Sequence, residues 1–339
     1  MTVNHQWVLA ERPDALVQEN TFRWVEAPMP EPGEGEFLVR NLMLSFDPTQ
    51  RGWLNDTKGY VPPVQIGEVM RAGSVGQVVK SNHPDYDEGD LVQGAFGWQE
   101  YATSNGTGMM ATRKLHPGVT PNAALSIFGI TGLTAYFGLL DIGEPKQGDA
   151  VLVSGAAGAT GSVVGQIAKI KGCGPVVGIA GGEKKCAWLT DEANYDHAID
   201  YKSDDVGERI REFFPKGIDI YFDNVGGPIL DQALINIALN ARVVLCGGIS
   251  SGYGTELPPG PQFYMQLVIQ RARMEGFLVL DYMDRAAEAI QELAGWVQEG
   301  RIHYLEDIAE GLENAPMTLN RLFTGANFGK QLLKIADPE

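Results

Sequence analysis

The amino-acid sequence predicts an α/β protein in which a β-rich first part leads into a doubly wound parallel sheet. From about residue 126 onward, short apolar runs alternate with amphipathic segments of helical period. One of these runs, Val151–Ser154, enters a glycine-rich turn that opens directly into a helical stretch. Ahead of residue 126, Gly and Pro punctuate short apolar stretches, which suits the short strands of a compact barrel-like sheet.

The elements follow in order. Residues 25–44, VEAPMPEPGEGEFLVRNLML, read as a Pro/Gly-rich turn and an apolar strand, and 76–104 repeat that texture. DAVLVSGAAG (149–158) is a near-continuous apolar strand ending in small residues, and ATGSVVGQIAKIKGC (159–173) continues as a helix. PVVGIAG and EKKCAWLTDEA form the next strand and helix, then HAIDY and DDVGERIREFF, then GIDIYFDNVGG as strand and turn with PILDQALINIALN as helix. ARVVLCGGIS and RMEGFLVLDY are predicted as two further strands, and RAAEAIQELAGWVQEG (285–300) as an amphipathic helix. Strands apolar along their whole length, bounded by helices, imply a parallel sheet covered on both faces. The tail, 313–339, reads as helix, turn and strand returning to the first domain, so the expected domains are 1–125, 126–308 and 309–339.

Composition narrows the class of function. With 44% hydrophobic and 20% charged residues the chain has the make-up of a folded globular protein. A formal net charge of −17 disfavours nucleic acid and anionic membranes as partners. No stretch reaches the roughly 20 apolar residues of a membrane span. The N-terminus has no apolar signal region, and the three cysteines, Cys173, Cys186 and Cys246, are widely spaced. A reducing, cytoplasmic setting is therefore expected.

In such an acidic chain, an anionic cofactor has to be held by local donors. The run Ala156-Ala-Gly-Ala-Thr-Gly161 provides them. Here a glycine turn admits a pyrophosphate close to the backbone, and the following helix offers free N–H groups and a partial positive charge. Ala156, Gly158, Ala159, Thr160 and Gly161 are the expected contacts. NAD binders usually end the second strand with a carboxylate for the ribose hydroxyls. Here that strand ends in Ala180-Gly-Gly182, followed by Glu183, Lys184 and Lys185. The small residues leave room for a 2′-phosphate and Lys185 can meet it, although Glu183 must then point away. The cofactor expected is NADP(H).

At this point the residues resemble the medium-chain dehydrogenase/reductase superfamily, in its prostaglandin reductase and alkenal double-bond reductase branch. The matching segments are Leu44-Ser-Phe-Asp-Pro-Thr-Gln-Arg-Gly52, Tyr60-Val-Pro-Pro63, Gly132-Leu-Thr-Ala-Tyr-Phe-Gly138, the glycine turn, Tyr221-Phe-Asp-Asn-Val-Gly-Gly227, Gly247-Gly-Ile-Ser250 and Gly325-Ala-Asn-Phe-Gly-Lys330. The resemblance implies a GroES-like β-barrel-type catalytic domain, a Rossmann domain, an active site in the cleft between them, and a homodimer. It also implies that Lys185 and Tyr201 contact the 2′-phosphate, that Asn224 lies near the ribose and nicotinamide, and that Asn327 binds the carboxamide. Thr134 and Ser250, in two of the matching segments, complete the expected cofactor set.

Zinc-dependent members of this superfamily place a cysteine where this chain has Asp47, followed by a Gly-His-Glu motif. Here Gly67-Glu-Val69 stands instead, and the five histidines are scattered without ligand spacing. Reduction of a conjugated C=C bond suits a metal-less site. Hydride goes to the β-carbon, and the developing enolate needs only a hydrogen-bond donor and then a proton at the α-carbon. Tyr253 is the first candidate donor and matches a tyrosine implicated in the family, with one extra residue in Ile249-Ser-Ser-Gly-Tyr253. Tyr60 is the second. Phe46, Trp53 and Tyr264 are expected in an apolar substrate pocket or, as the alternative, in the core, and Arg51 beside the pocket, on the cofactor's phosphates or at the domain interface. The expected substrate is an enal or enone; a quinone reductase is the alternative.

Overall fold

The computed structural model describes residues 3–108, 110–251, 253–254 and 258–339. The chain opens with β1 (Val3–Leu9) and β2 (Phe22–Pro28), which pair antiparallel from Val3 opposite Pro28 to Leu9 opposite Phe22. Next come β3 (Phe37–Ser45), the short helix α1 (Thr49–Gly52), β4 (Ser74–Ser81), β5 (Leu91–Gly94), β6 (Tyr101–Ser104), β7 (Arg113–Lys114) and α2 (Pro121–Leu125). After α3 (Ile130–Phe137) the alternation begins: β8 (Val151–Ser154), α4 (Gly161–Ile170), β9 (Val176–Ala180), α5 (Glu183–Asp191), β10 (His197–Asp200) and α6 (Val206–Phe213). It continues through β11 (Ile218–Asp223), α7 (Gly227–Ile235), β12 (Ile237–Leu245), α8 (Gln266–Ile269), β13 (Arg273–Gly276) and α9 (Ala286–Gln298). The tail holds β14 (Glu306–Glu310), α10 (Ala315–Thr324) and β15 (Lys330–Lys334).

The described residues form two compact units. One takes the chain up to Ser126, then Tyr253 and Gly254, then Glu306–Glu339; the other takes the rest. The first contains a seven-stranded sheet ordered β14-β15-β3-β4-β5-β7, with β6 also pairing β3. The returning strand β15 runs antiparallel to β3, Leu333 opposite Leu44, and parallel to β14. Leu9, Phe22, Leu44, Phe46, Leu54, Met70, Trp98, Leu319 and Leu333 fill the core of this unit. The tail is thus anchored by apolar side chains of its own helix and strand.

In the second unit a six-stranded sheet runs β10-β9-β8-β11-β12-β13, parallel throughout. From the central β8 the chain winds outward to β10, then crosses back and winds the other way to β13. This is the doubly wound topology, and its switch point lies at β8 and β11, where such sheets hold ligands beyond the strands' carboxyl ends. All four residues of β8 and all five of β9 are buried, as strands covered on both faces must be. Local signals agree with the helices: Asp205 caps α6 by accepting the Glu208 N–H at 2.8 Å.

Two elements differ from expectation. PILDQALINIALN was expected as helix throughout, yet α7 ends at Ile235 and Ile237–Asn240 open β12. An apolar run of that length fits either period, and pairing of Ile237 with Ile218 decides for strand. RMEGFLVLDY is strand only over Arg273–Gly276. Its one neighbour, β12, ends at Leu245 opposite Gly276, and beyond it Val279–Arg285 coil into a 3₁₀ helix. There Tyr282 stacks on Phe137, with ring centroids 5.0 Å apart. The described residues include no helix long and apolar enough to cross a membrane.

Candidate active site

The glycine turn sits where the switch point requires. The Ala156 N–H bonds the Ile179 carbonyl at 2.9 Å, fixing the turn to the end of β9, and Ala156 is fully buried. α4 starts immediately: Ser162 N–H reaches Gly158 O at 3.0 Å and Val164 N–H reaches Thr160 O at 3.1 Å. A Cβ on Gly161 would lie 2.4 Å from Gly155 O and 2.8 Å from the Ala156 Cα. Only glycine lets the helix head press this closely on the turn. Ala159 and Thr160 are partly exposed at that head, where backbone N–H groups have no carbonyl one turn earlier to accept them.

Beside the turn, Asp223 at the end of β11 is fully buried. Its Oδ1 accepts hydrogen bonds from the Ser154 and Tyr221 hydroxyls at 2.8 and 2.7 Å and from the Val225 and Gly226 N–H groups at 3.0 and 2.9 Å. Burial, with the Asp223 charge adding to it, raises the Tyr221 phenol well above its ordinary pKa, so it remains a donor. Ser154 Oγ in turn accepts the Asn224 N–H at 2.9 Å, and Asn224 Nδ2 donates to Ser154 O at 2.7 Å. With one N–H so engaged, the Asn224 amide is held in a fixed orientation beside the turn. Ser250 is drawn to the same turn, its N–H on Val225 O at 3.0 Å. Neither Ser154 nor Asp223 stands out in the sequence; the available signal was a serine closing the apolar strand β8 and an aspartate as the last residue of β11.

A second corner forms where β9 and β10 end. A Cβ on Gly181 would lie 2.7 to 2.9 Å from the Tyr201 ring and hydroxyl, so the missing side chain is what seats the ring there. Tyr201 is nevertheless 48% exposed. Lys185 lies in the first turn of α5 and is half-buried, whereas Glu183 is exposed. The carboxylate nearest in sequence, Asp200, turns onto the backbone: its Oδ1 accepts the Gly182 N–H at 2.8 Å and the Lys202 N–H at 3.0 Å. The Gly182 N–H above all holds its pKa below the usual range. The turn, Asn224, Ser250, Lys185 and Tyr201 therefore gather at the carboxyl ends of one sheet. Thr134 lies on α3, its hydroxyl bonded to Ile130 O at 2.7 Å.

In the first unit, Asp47 follows β3. Its Oδ1 meets Lys330 Nζ at 2.5 Å and its Oδ2 accepts the Ser45 hydroxyl at 2.6 Å. Lys330 also donates to Phe46 O at 3.0 Å, and its side chain is only 3% exposed. Both oxygens of Asp47 thus have partners, one of them a buried cation. Among the described residues no three His, Cys, Asp or Glu side chains are grouped to hold a metal. Tyr60 is exposed, with its hydroxyl 2.5 Å from Thr49 Oγ1. The Tyr253 backbone is in the left-handed region, φ +53°, with its ring edge-on to Phe323. Asn327 donates from Nδ2 to Gly329 O at 3.1 Å in the turn before β15.

Phe46 takes its alternative place in the core, and Arg51, expected beside the substrate pocket, lies in the interior as well. Phe46 is a core residue packed on Trp98, and Arg51 has no exposed surface. Arg51 Nη2 donates to Pro13 O, Nε to Ala15 O and Nη1 to Asn55 Oδ1, so these three donors serve the fold of the first unit. Trp53 is half-buried against the same core, with the Arg71 guanidinium over its ring. Tyr264, in the second unit, is 57% exposed.

Comparison with known proteins agrees with this architecture. A family model described as the N-terminal domain of oxidoreductase matches residues 5–112, and one described as zinc-binding dehydrogenase matches 159–295. The chain is 46% identical to the NADPH-dependent curcumin reductase of Escherichia coli (strain K12), over 98% of this chain and 97% of that protein. It is 39% identical to the 2-alkenal reductase (NADP(+)-dependent) of Nicotiana tabacum, over 92% and 90% of the two chains. The crystal structure of CurA in complex with NADPH from Vibrio vulnificus superposes with a TM-score of 0.93 at 43% identity, over 98% of this chain and 100% of that one. With its parallel nucleotide-type sheet, its antiparallel companion and these relatives, the chain belongs to the medium-chain dehydrogenase/reductase superfamily, in the branch of the curcumin and alkenal reductases.

Proposed function

We propose that this protein uses NADPH to reduce the carbon–carbon double bond of α,β-unsaturated aldehydes and ketones. The observation that carries the reading is the Lys330 ammonium on Asp47, at the position where zinc-dependent relatives carry a metal ligand. Chemistry that needs a Lewis acid at the substrate oxygen is poorly served there, whereas conjugate reduction asks only for a hydroxyl donor. The names of the curcumin and alkenal reductases support the same reading.

NADPH supplies the hydride that adds to the β-carbon. The glycine turn and the head of α4 hold its pyrophosphate, Asn224 and Asn327 orient the ribose and carboxamide, and Lys185 with Tyr201 binds the 2′-phosphate. Tyr253 donates a hydrogen bond to the substrate oxygen as charge builds, and the enolate then takes a proton from solvent water at the α-carbon. Tyr60 is the second candidate donor. Trp53 and Tyr264 contribute apolar surface to the substrate. The working form is a cytoplasmic homodimer; the exposed run Met265, Val268 and Ile269, close before the edge strand β13, supports the pairing of two copies. Sedimentation equilibrium checks this, a single-chain mass contradicting it.

Purified enzyme with NADPH, offered an enal, an enone and a benzoquinone in parallel, tests the substrate class. The highest kcat/KM is expected on an enal or enone, and a preference for the quinone would replace this reading with that of a quinone reductase. Lys185→Ala is expected to raise the KM for NADPH by roughly 10-fold or more, the worth of one charge-assisted hydrogen bond, and to leave that for NADH nearly unchanged. Equal effects on both cofactors would remove Lys185 from the 2′-phosphate. Tyr253→Phe is expected to lower kcat on an enal by about 10²-fold, the usual loss on removing one oxyanion donor.

A further inference from the structure

We propose that Arg51 and Asn55 form a positioning relay that holds Tyr253 in its left-handed backbone conformation and thereby places its phenol. The inference rests on the reading of Tyr253 as donor and concerns what fixes that donor. An aromatic residue at φ +53° sits in a region that side chains with a Cβ avoid, and it persists only where its surroundings over-determine it. Here the Tyr253 carbonyl accepts a hydrogen bond from Asn55 Nδ2 at 2.7 Å, and Asn55 is 9% exposed.

A flipped asparagine amide would turn its oxygen on that carbonyl and lose the bond, and Arg51 holds the amide the right way round. A guanidinium has five donors and no acceptor, so the 2.7 Å contact of Arg51 Nη1 with Asn55 requires the amide oxygen on that side. The NH₂ is then turned onto Tyr253. Arg51 is itself immobilised, fully buried and bonded to the carbonyls of Pro13 and Ala15. Gly52 of α1 lies close to the Tyr253 side chain: a Cβ there would lie 3.5 Å from the tyrosine Cδ1. The turn that carries Arg51 therefore supplies the polar clamp and a close neighbour of the ring together. Arg51 and Asn55 are positioning residues, acting through Tyr253.

A double-mutant cycle of Asn55→Ala and Tyr253→Phe tests this, read as kcat on an enal at saturating NADPH and as Tm. Asn55→Ala is expected to lower kcat about 10-fold in the wild-type background, with the KM for NADPH changed less than about 2-fold. In the Tyr253→Phe background the same substitution is expected to change kcat by less than about 2-fold, while the fall in Tm is the same in both. Asn55→Asp keeps an oxygen for Arg51 but removes the donor, and repeats the test should Asn55→Ala fail to fold. An equal loss of kcat in both backgrounds, or none in either, overturns the relay and leaves the donor reading standing. Full kcat in Tyr253→Phe alone overturns the donor reading itself, and the relay with it.

Discussion

Gly161→Ala is expected to weaken NADPH binding by at least about 100-fold and to lower the melting temperature by several degrees. The added methyl carbon would lie 2.4 Å from Gly155 O, 2.8 Å from the Ala156 Cα and 3.0 Å from the Gly155 carbonyl carbon. All three are backbone atoms of a turn tied to β9, so no side chain can swing aside. The strain of forcing a methylene-sized group into a packed site is typically about 1–3 kcal/mol. It is relieved only by backing α4 away from the turn, which withdraws the N–H groups offered to the pyrophosphate. Gly158→Ala makes the internal control, since its Cβ would meet Gly155 O at 3.1 Å, and a milder loss is expected. Fluorescence titration with NADPH checks both variants; wild-type affinity in Gly161→Ala would show that the helix head does not hold the phosphates.

Lys330→Met should destabilise the protein by about 3 kcal/mol, as removal of one partner from a buried ion pair does. Asp47 is left with a carboxylate oxygen that has lost its cation, and with only the Ser45 hydroxyl in place. Adding Asp47→Asn to Lys330→Met removes the uncompensated charge, and recovery of most of the loss is expected. Urea unfolding of the two single variants and the double variant measures this. Additive losses would mean that the pair is a surface-like contact, with no bearing on the chemistry of the site. Recovery would establish that Asp47 needs a cation and that the chain supplies its own.

The parallel sheet was legible because its strands are apolar on both faces, a pattern that few other arrangements demand. The glycine turn was legible for a related reason: a strand, a glycine turn and a helix in immediate succession leave few alternatives. The edge strand β13 was less so, since RMEGFLVLDY is apolar well past the point where its neighbour β12 ends. Partnering, and not local preference, sets where such a strand stops. The burial of Arg51 and Phe46 is hidden for a similar reason. Both sit in a segment shared with the family, and nothing local says whether a side chain there faces a ligand or the backbone of Pro13 and Ala15. The passage of Tyr253 and Gly254 into the first unit depends on contacts some 198 residues apart, beyond any local pattern. In the sequence Lys330 only ends a family-like motif; the pairing of β15 with β3 is what brings it to Asp47.

The most direct test follows the hydride. The enzyme is incubated with 2-nonenal and NADPH carrying deuterium at both C4 positions of the nicotinamide, and the product is examined by NMR and mass spectrometry. The expected product is nonanal with one deuterium on C3, its second new hydrogen, on C2, coming from water. Deuterium on C1 of an allylic alcohol, or unconsumed cofactor, would contradict conjugate reduction by this protein.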